Sequence, residues 1–430
     1  MKGLLFTYAL TYGGAVVSLF NPFYGLLIYF CFAIIKPESL WHWSVPVGNY
    51  SRIIGVALLL GWALNGFGNW DFRRARPIVF LLLAYFGWMI LSAINAEVSP
   101  DVAWGKVESI AKIVLPFLAG VTLIDSVTKL KQVAWVIVIS QGYLAYDLNR
   151  AYYDGYNRLV ADGFGSMDNN SVSIGMVCVA GLAFFLGMGE KNMWRKLLCF
   201  GCAALMVHVP MFGMSRGGQL AVIITGFVSF FLIRKQPRDY AFFAVAVMMG
   251  LMLAGPQVRE RFATVFVDAE ERDYSANSRL ELWQDCFDVM VRNPLVGVGP
   301  AHWPLIAHDY GWPRLKAAHS IWFETGADIG FPGLGFFVGF YAVTVWLQWQ
   351  LLRRPELPDP VFADIARMVI AAIVGFAVSA SFVSLDALEV PYYVVMLGAS
   401  SLKIASFYEQ AAVQSRRMSP APLPMAEAAP

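Results

Sequence analysis

The sequence predicts an all-α polytopic membrane protein of about 12 transmembrane helices, with one long extramembrane loop late in the chain. Three observations predict it. Of 430 residues, 58% are hydrophobic and 14% charged, and mean hydropathy is +0.57, whereas soluble chains carry nearer ~25% charge. Apolar runs long enough to cross hydrocarbon recur along the chain. Lys and Arg gather in every second connection. Such a chain lacks the polar side chains to cover its own surface, which excludes an ordinary soluble enzyme, a disordered protein and a nucleic-acid binder. With 32 basic and 30 acidic residues, the position of charge carries the information rather than its total.

In order along the chain, the first run is 3–35, broken at Asn21-Pro22. It fits either one long kinked helix or a short hairpin. There follow 52–68, 77–94, 109–125, 131–148, 171–189, 196–213, 217–233, 240–255, 328–350, 365–385 and 390–407. The start, Met1 to Leu10, has one lysine and no small-residue cleavage site, so it reads as a retained span. One set of connections holds Arg73, Arg74, Arg76, Lys129, Lys131, Lys191, Arg195, Lys196, Arg234, Lys235, Arg238, Arg353, Arg354, Arg367, Lys403, Arg416 and Arg417. The alternate short connections hold Lys36, Arg52, Lys106, Lys112, Arg150, Arg158 and Arg216. The richer set is expected in the cytoplasm and the poorer outside, together with the long loop. The predicted units are N-terminal spans (1–255), the loop (256–319), C-terminal spans (320–407) and a disordered cytoplasmic tail (408–430).

The span centres are almost free of ionisable groups. Lys112, Asp147, His208 and Asp386 sit near outer span ends. An ion-coupled transporter keeps charge near the midplane, so this pattern argues against one. The five cysteines form no disulfide pattern, and Cys199 and Cys202 read as helix packing.

Polar chemistry collects on the outer face instead. In the loop, Ser278-Arg279-Leu280-Glu281 has capping-box form. Leu280, Trp283, Phe287 and Met290 then share a helical face up to Pro294. This reads as an amphipathic helix lying on the membrane domain. A second outer segment runs from Arg150 to Asn170 and includes Arg158 and Asp168. A third is the turn Met214-Ser215-Arg216-Gly217-Gly218. Guanidiniums fit phosphate oxygens, and Arg158, Arg216 and Arg279 are the outward candidates. From the residues alone the bland reading is favoured for each: Arg216 as a headgroup-binding or helix-capping arginine, Arg279 as a solvated helix residue and Arg158 as a plain surface arginine. His319, beside Ser320 and five residues before Glu324, is placed to take a proton from a hydroxyl near neutral pH. Its bland reading is a hydrogen-bonded interfacial histidine. His42 and His208 read as an interface anchor and a packed ring, and His302 and His308 have no carboxylates at ligand spacing, so no metal and no cofactor are expected. Outside an inner membrane no ATP is at hand, and a lipid-linked diphosphate sugar is a ready-activated donor. It needs cations for the diphosphate and a base for the acceptor.

Three stretches carry a resemblance: Ser215-Arg216-Gly217-Gly218; Arg279-x-x-x-Trp283 leading to Asn293-Pro294-x-x-Gly297-x-Gly299; and His319-Ser320-x-x-x-Glu324-x-Gly326-x-x-x-Gly330. In this order and topology the chain resembles the O-antigen ligase/polymerase family, best over about 150–345. The first third, around Asn21-Pro22 and Lys36-Pro37-Glu38, also looks like exosortase-associated O-glycosylation ligases of that superfamily. The resemblance implies a GT-C-like membrane enzyme of the bacterial inner membrane with a periplasmic active site. It implies transfer of O-antigen from undecaprenyl diphosphate to lipid A–core oligosaccharide, without metal. By motif, Arg216 and Arg279 would hold the diphosphate and His319 would be the base. Glu324 would orient His319 or the acceptor. Arg158 is a further diphosphate candidate, and Ser215, Asp168 and Ser320 are substrate-binding candidates. A protein hydroxyl, an exopolysaccharide or the growing glycan remain alternative acceptors. A lipid-linked sugar transporter and a non-catalytic scaffold are the rivals from other classes.

Overall fold

The computed structural model describes residues 2–233, 240, 241, 244, 248, 274–385 and 387–418. Most of the expected span 240–255, with Arg234, Lys235 and Arg238, lies outside the described residues. So do the first part of the long loop (256–273), Asp386 and the tail from 419. The described chain is helical. Eight helices are long and apolar enough to cross a membrane: Lys2–Phe20, Pro22–Leu40, Arg73–Ile94, Asn169–Gly189, Met193–Phe212, Ile321–Leu352, Val361–Ala380 and Glu389–Ala412. Tyr50–Leu64 and Arg216–Leu232 are apolar but shorter. Pro100–Leu123 and Val127–Tyr153 have the length but carry more charge.

We label the elements in chain order. α1 is Lys2–Phe20, with a π turn at Ala9–Gly13. α2 is Pro22–Ile35, α3 Pro37–Leu40, α4 Tyr50–Leu64, α5 Arg76–Ile94, α6 Pro100–Leu123 and α7 Val127–Tyr153. α8 is Arg158–Ala161, α9 Asn169–Gly189, α10 Met193–Phe212 and α11 Arg216–Leu232. α12 is Tyr274–Arg292, α13 Trp303–Ile306, α14 Ile321–Leu352, α15 Val361–Ala380 and α16 Glu389–Met418. Residues 3–35 form a hairpin. The chain breaks at Asn21, where Pro22 starts a new helix, and α1 returns along α2. Gly14 faces Ile28, Gly25 faces Ser18 and Gly3 faces Trp41. α16 runs to Met418, so residues 408–418 are helix and not the disordered tail that the composition predicts.

The two sets of connections lie at opposite ends. At the basic end, Arg74 forks both oxygens of Glu409 (3.0 and 2.7 Å), which Arg354 also bonds. Lys403 donates to the carbonyls of Asn69 (2.6 Å) and Val121 (2.9 Å), and Lys131, Glu190 and Asp364 line one small cavity. Lys129 lies over Phe23 (5.2 Å), which puts the Asn21 turn at this end too. Between the ends, α9 packs on α15, α10 and α7, and small residues such as Gly181 against Ala371 let the helices close up. α16 is the most enclosed helix, with 94% of its apolar window buried. Its Tyr393 stacks on Phe30 of α2 (3.9 Å).

α14 is broken in its first half. Gly330 has φ 73° and ψ 179°, a conformation essentially reserved for glycine. Residues 293–300, a turn-rich loop, lie against the break. Phe331 N–H donates to Pro294 O (2.9 Å), Val298 N–H to Ala327 O (3.1 Å) and Gly299 N–H to Asp328 O (2.9 Å). From α5, Trp88 donates to Leu295 O (3.0 Å) and Ser92 to Val296 O (2.6 Å). Freed backbone groups buried within a membrane protein must find partners inside it, and here the Asn293–Pro300 loop supplies them.

Candidate active site

The end opposite the basic one is built from helix starts. α9 begins at Asp168, whose carboxylate accepts Ser171 N–H (2.8 Å). α11 begins at Ser215, whose hydroxyl accepts Gly218 N–H (3.2 Å). These are ordinary caps. They make neighbours of the two starts, because Asn169 Nδ2 donates to Gly213 O (2.7 Å) and Gly218 lies against Ser173. α14 begins at Ser320, which makes no side-chain cap bond. Its hydroxyl is buried and has no hydrogen-bond partner among the described residues. The residues just before two of these caps, Met214 (φ 53°) and His319 (φ 53°), are left-handed, an uncommon conformation outside glycine.

His319 is held by its neighbour. Ala318 N–H donates to Glu324 Oε2 (2.8 Å), and Ala318 O accepts Trp283 Nε1–H from α12 (3.0 Å). Trp283 in turn stacks on Phe323 (5.3 Å, 9° between planes). Trp283 therefore fixes the peptide that leads into His319, and Glu324 the peptide before it. The ring is half-buried. Burial first, then Arg279 and Lys316, pull its pKa below 6.5, while Asp168 pulls the other way. The imidazole is thus neutral at pH 7. The same interactions show that α12, the loop and the α9 start converge on it.

Arg216 stands in the first turn of α11. Gly217 behind it packs directly against Phe382, with no room for a side chain, and Phe382 lies 6.5 Å from Trp283. Trp322 donates to Ser381 Oγ (3.1 Å), tying the 381–382 turn to the start of α14. Arg216, Arg279, His319, Ser320, Glu324, Ser215 and Asp168 are therefore gathered at one end. Arg158 has a different task. Its guanidinium bonds Ser39 O (2.6 Å) and Leu40 O (3.4 Å) and pairs with Asp147 (3.4 Å). It anchors α8 to the turn after α2.

Three features escaped the sequence reading. Asp328, 7% exposed, accepts the N–H groups of Ala301 (2.8 Å), His302 (3.1 Å) and Trp303 (2.8 Å). His302, fully buried, bonds Pro300 O (2.9 Å) through Nδ1 and accepts Ser99 N–H (3.2 Å) at Nε2, which fixes a neutral tautomer. The buried face of α12 is Leu282, Cys286, Val289 and Met290, with Trp283 half-buried. Leu280 and Phe287, expected inward, are exposed, and Ser278 lies inside the helix rather than at its cap. The buried stripe closes over Trp303, Ala307 and Ala318 to make a small core for the loop.

Residues 201–338 match the family described as O-antigen ligase. Residues 1–191 match a family of unknown function. A search of curated proteins gave no match. The first matched segment runs from within α10 to within α14 and holds Ser215, Arg216, Arg279, His319, Ser320 and Glu324, whereas Arg158 and Asp168 fall in the second. On this multi-pass helical scaffold, residues 201–338 are thus similar to the O-antigen ligase family.

Proposed function

We propose that the protein is a glycosyltransferase that moves O-antigen from undecaprenyl diphosphate to lipid A–core oligosaccharide at the periplasmic face of the bacterial inner membrane. One observation carries the reading. Three helix starts meet around a neutral imidazole, with Arg216, Arg279 and Lys316 at the same end. Helix N-termini and guanidiniums together favour a polyanion. In this scheme Arg216 and Arg279 hold the diphosphate, and the α14 start, left uncapped by Ser320, faces the charge that develops as it leaves. The acceptor hydroxyl gives its proton to His319. Its oxygen bonds the anomeric carbon as the carbon–phosphate-oxygen bond breaks, with inversion. Glu324 and Trp283 position the base through the peptides on either side of Ala318. Asp168 supports the protonated imidazole, and Ser320 offers its orphaned hydroxyl to substrate. Arg158 acts at a distance, through the scaffold.

The test is reconstitution of the full chain with a polyprenyl-diphosphate glycan, reading product on a gel. Lipid A–core should be glycosylated, and His319→Ala should reduce transfer roughly 10²-fold or more in folded protein. Arg216→Ala and Arg279→Ala should each reduce donor use by about 10²–10³. Full activity of folded His319→Ala removes the base. Product on the glycan itself, on protein hydroxyls or on an exopolysaccharide reassigns the acceptor and keeps the donor chemistry.

A further inference from the structure

A second charged cavity lies at the basic end, away from the site above. It is a cleft of about 660 Å³ between the start of α5 and the last turns of α16, lined by Arg73, Arg74, Arg76, Ser406, Glu409, Gln410 and Gln414. Its charges do not cancel. Arg74 and Arg354 share Glu409, while Arg73 (2.6 Å) and Arg76 (3.4 Å) share Asp71. Four guanidiniums thus face two carboxylates. Asp125, at the same end, is taken by Lys129 (2.7 Å). Lys403 adds a further cation nearby, spent on two backbone carbonyls. α5 starts here without a side-chain cap, so the positive end of its dipole adds to the excess.

The depth of the cleft indicates its occupant. The apolar span that includes α5 begins at Arg73, and that of α16 ends at Ala412. Ser406, Glu409 and Gln410 lie in the last turns of that span and Gln414 lies just past it. The cleft therefore sits at the level of lipid headgroups. We infer that the cleft between α5 and α16 binds the phosphates of an anionic phospholipid, drawn by this excess of positive charge. Guanidinium forks recognise phosphate oxygens, and anionic headgroups are drawn to basic clusters at a span boundary.

The experiment is native mass spectrometry of the full chain released from nanodiscs holding equal cardiolipin, phosphatidylglycerol and phosphatidylethanolamine. Cardiolipin should be retained over phosphatidylethanolamine, and Arg73→Gln or Arg76→Gln should each weaken that preference roughly fivefold. Gln410→Glu, which removes no scaffold contact, should do the same while the melting temperature in neutral lipid stays unchanged. Equal retention of all three lipids, or a preference untouched by all three variants, overturns the site. A second arm adds millimolar inorganic phosphate to cardiolipin-loaded and to delipidated protein. If phosphate alone displaces cardiolipin and stabilises the protein in an Arg76-dependent way, the ligand is a soluble phosphate and the lipid assignment fails.

Discussion

His319 joins two physical demands in one side chain. A base must be neutral before it acts, and burial beside Arg279 and Lys316 keeps it so. The sign is explicit. Its pKa lies below 6.5, so the base form persists at neutrality and is lost only as pH falls through the lowered value. The acid limb of kcat/KM should therefore lie below pH 6.5. Lys316→Gln removes a cation and should move that limb to higher pH. Asp168→Asn removes the opposing carboxylate, keeps a capping side chain and should move it lower. Shifts in the same direction for both variants would contradict the electrostatic arrangement around the ring. That Arg216 and His319 share one end was legible in the sequence because a glycine-bearing turn and a span boundary mark them, whereas Arg279 was reached through a capping box that the structure does not form. Asp328 and Lys316 were not legible, since nothing in a linear pattern shows which backbone amides or rings a side chain will meet across the fold.

At the scale of elements, the broken α14 and the Asn293–Pro300 loop stand or fall together. A methyl group at Gly330 would meet Leu295 O, in a conformation that alanine avoids. Gly330→Ala should cost about 1–3 kcal/mol, read as a lower melting temperature in detergent. Asp328→Ala strands three buried N–H groups and should cost about 3 kcal/mol. Hydrogen exchange should then quicken at residues 301–303, and unchanged protection there would remove Asp328 as the anchor of this loop. The apolar runs marked most helices to within a few residues, because crossing a bilayer demands length and greasiness whatever the neighbours. The face of α12 was misread for a related reason. Both of its stripes are apolar, Leu282–Cys286–Val289 and Leu280–Phe287–Val291, and only the loop core over Trp303 decides which one turns inward. The break at Gly330 was equally hidden, since its partner loop lies some 30 residues upstream.

Over the whole molecule, the segregation of basic connections predicts sidedness. Single cysteines at Val47, Glu97 and Arg314, exposed at the site end, should react with an impermeant thiol reagent added to intact spheroplasts. Cysteines at Arg195 and Glu356, exposed at the basic end, should react only after lysis. The native cysteines are buried or nearly so and give little background. Reaction of the basic-end cysteines from outside, with the site-end ones labelled only after lysis, would reverse the orientation on which a periplasmic site depends. One further consequence concerns the assembly of the fold in time. α16 is wrapped by helices that all precede it in the chain. As synthesis proceeds, those earlier segments enter the bilayer while their common centre is still missing. Their packing faces towards that centre are completed only when the enclosed helix arrives. Maturation of this protein is therefore a late, concerted closure rather than a helix-by-helix accretion.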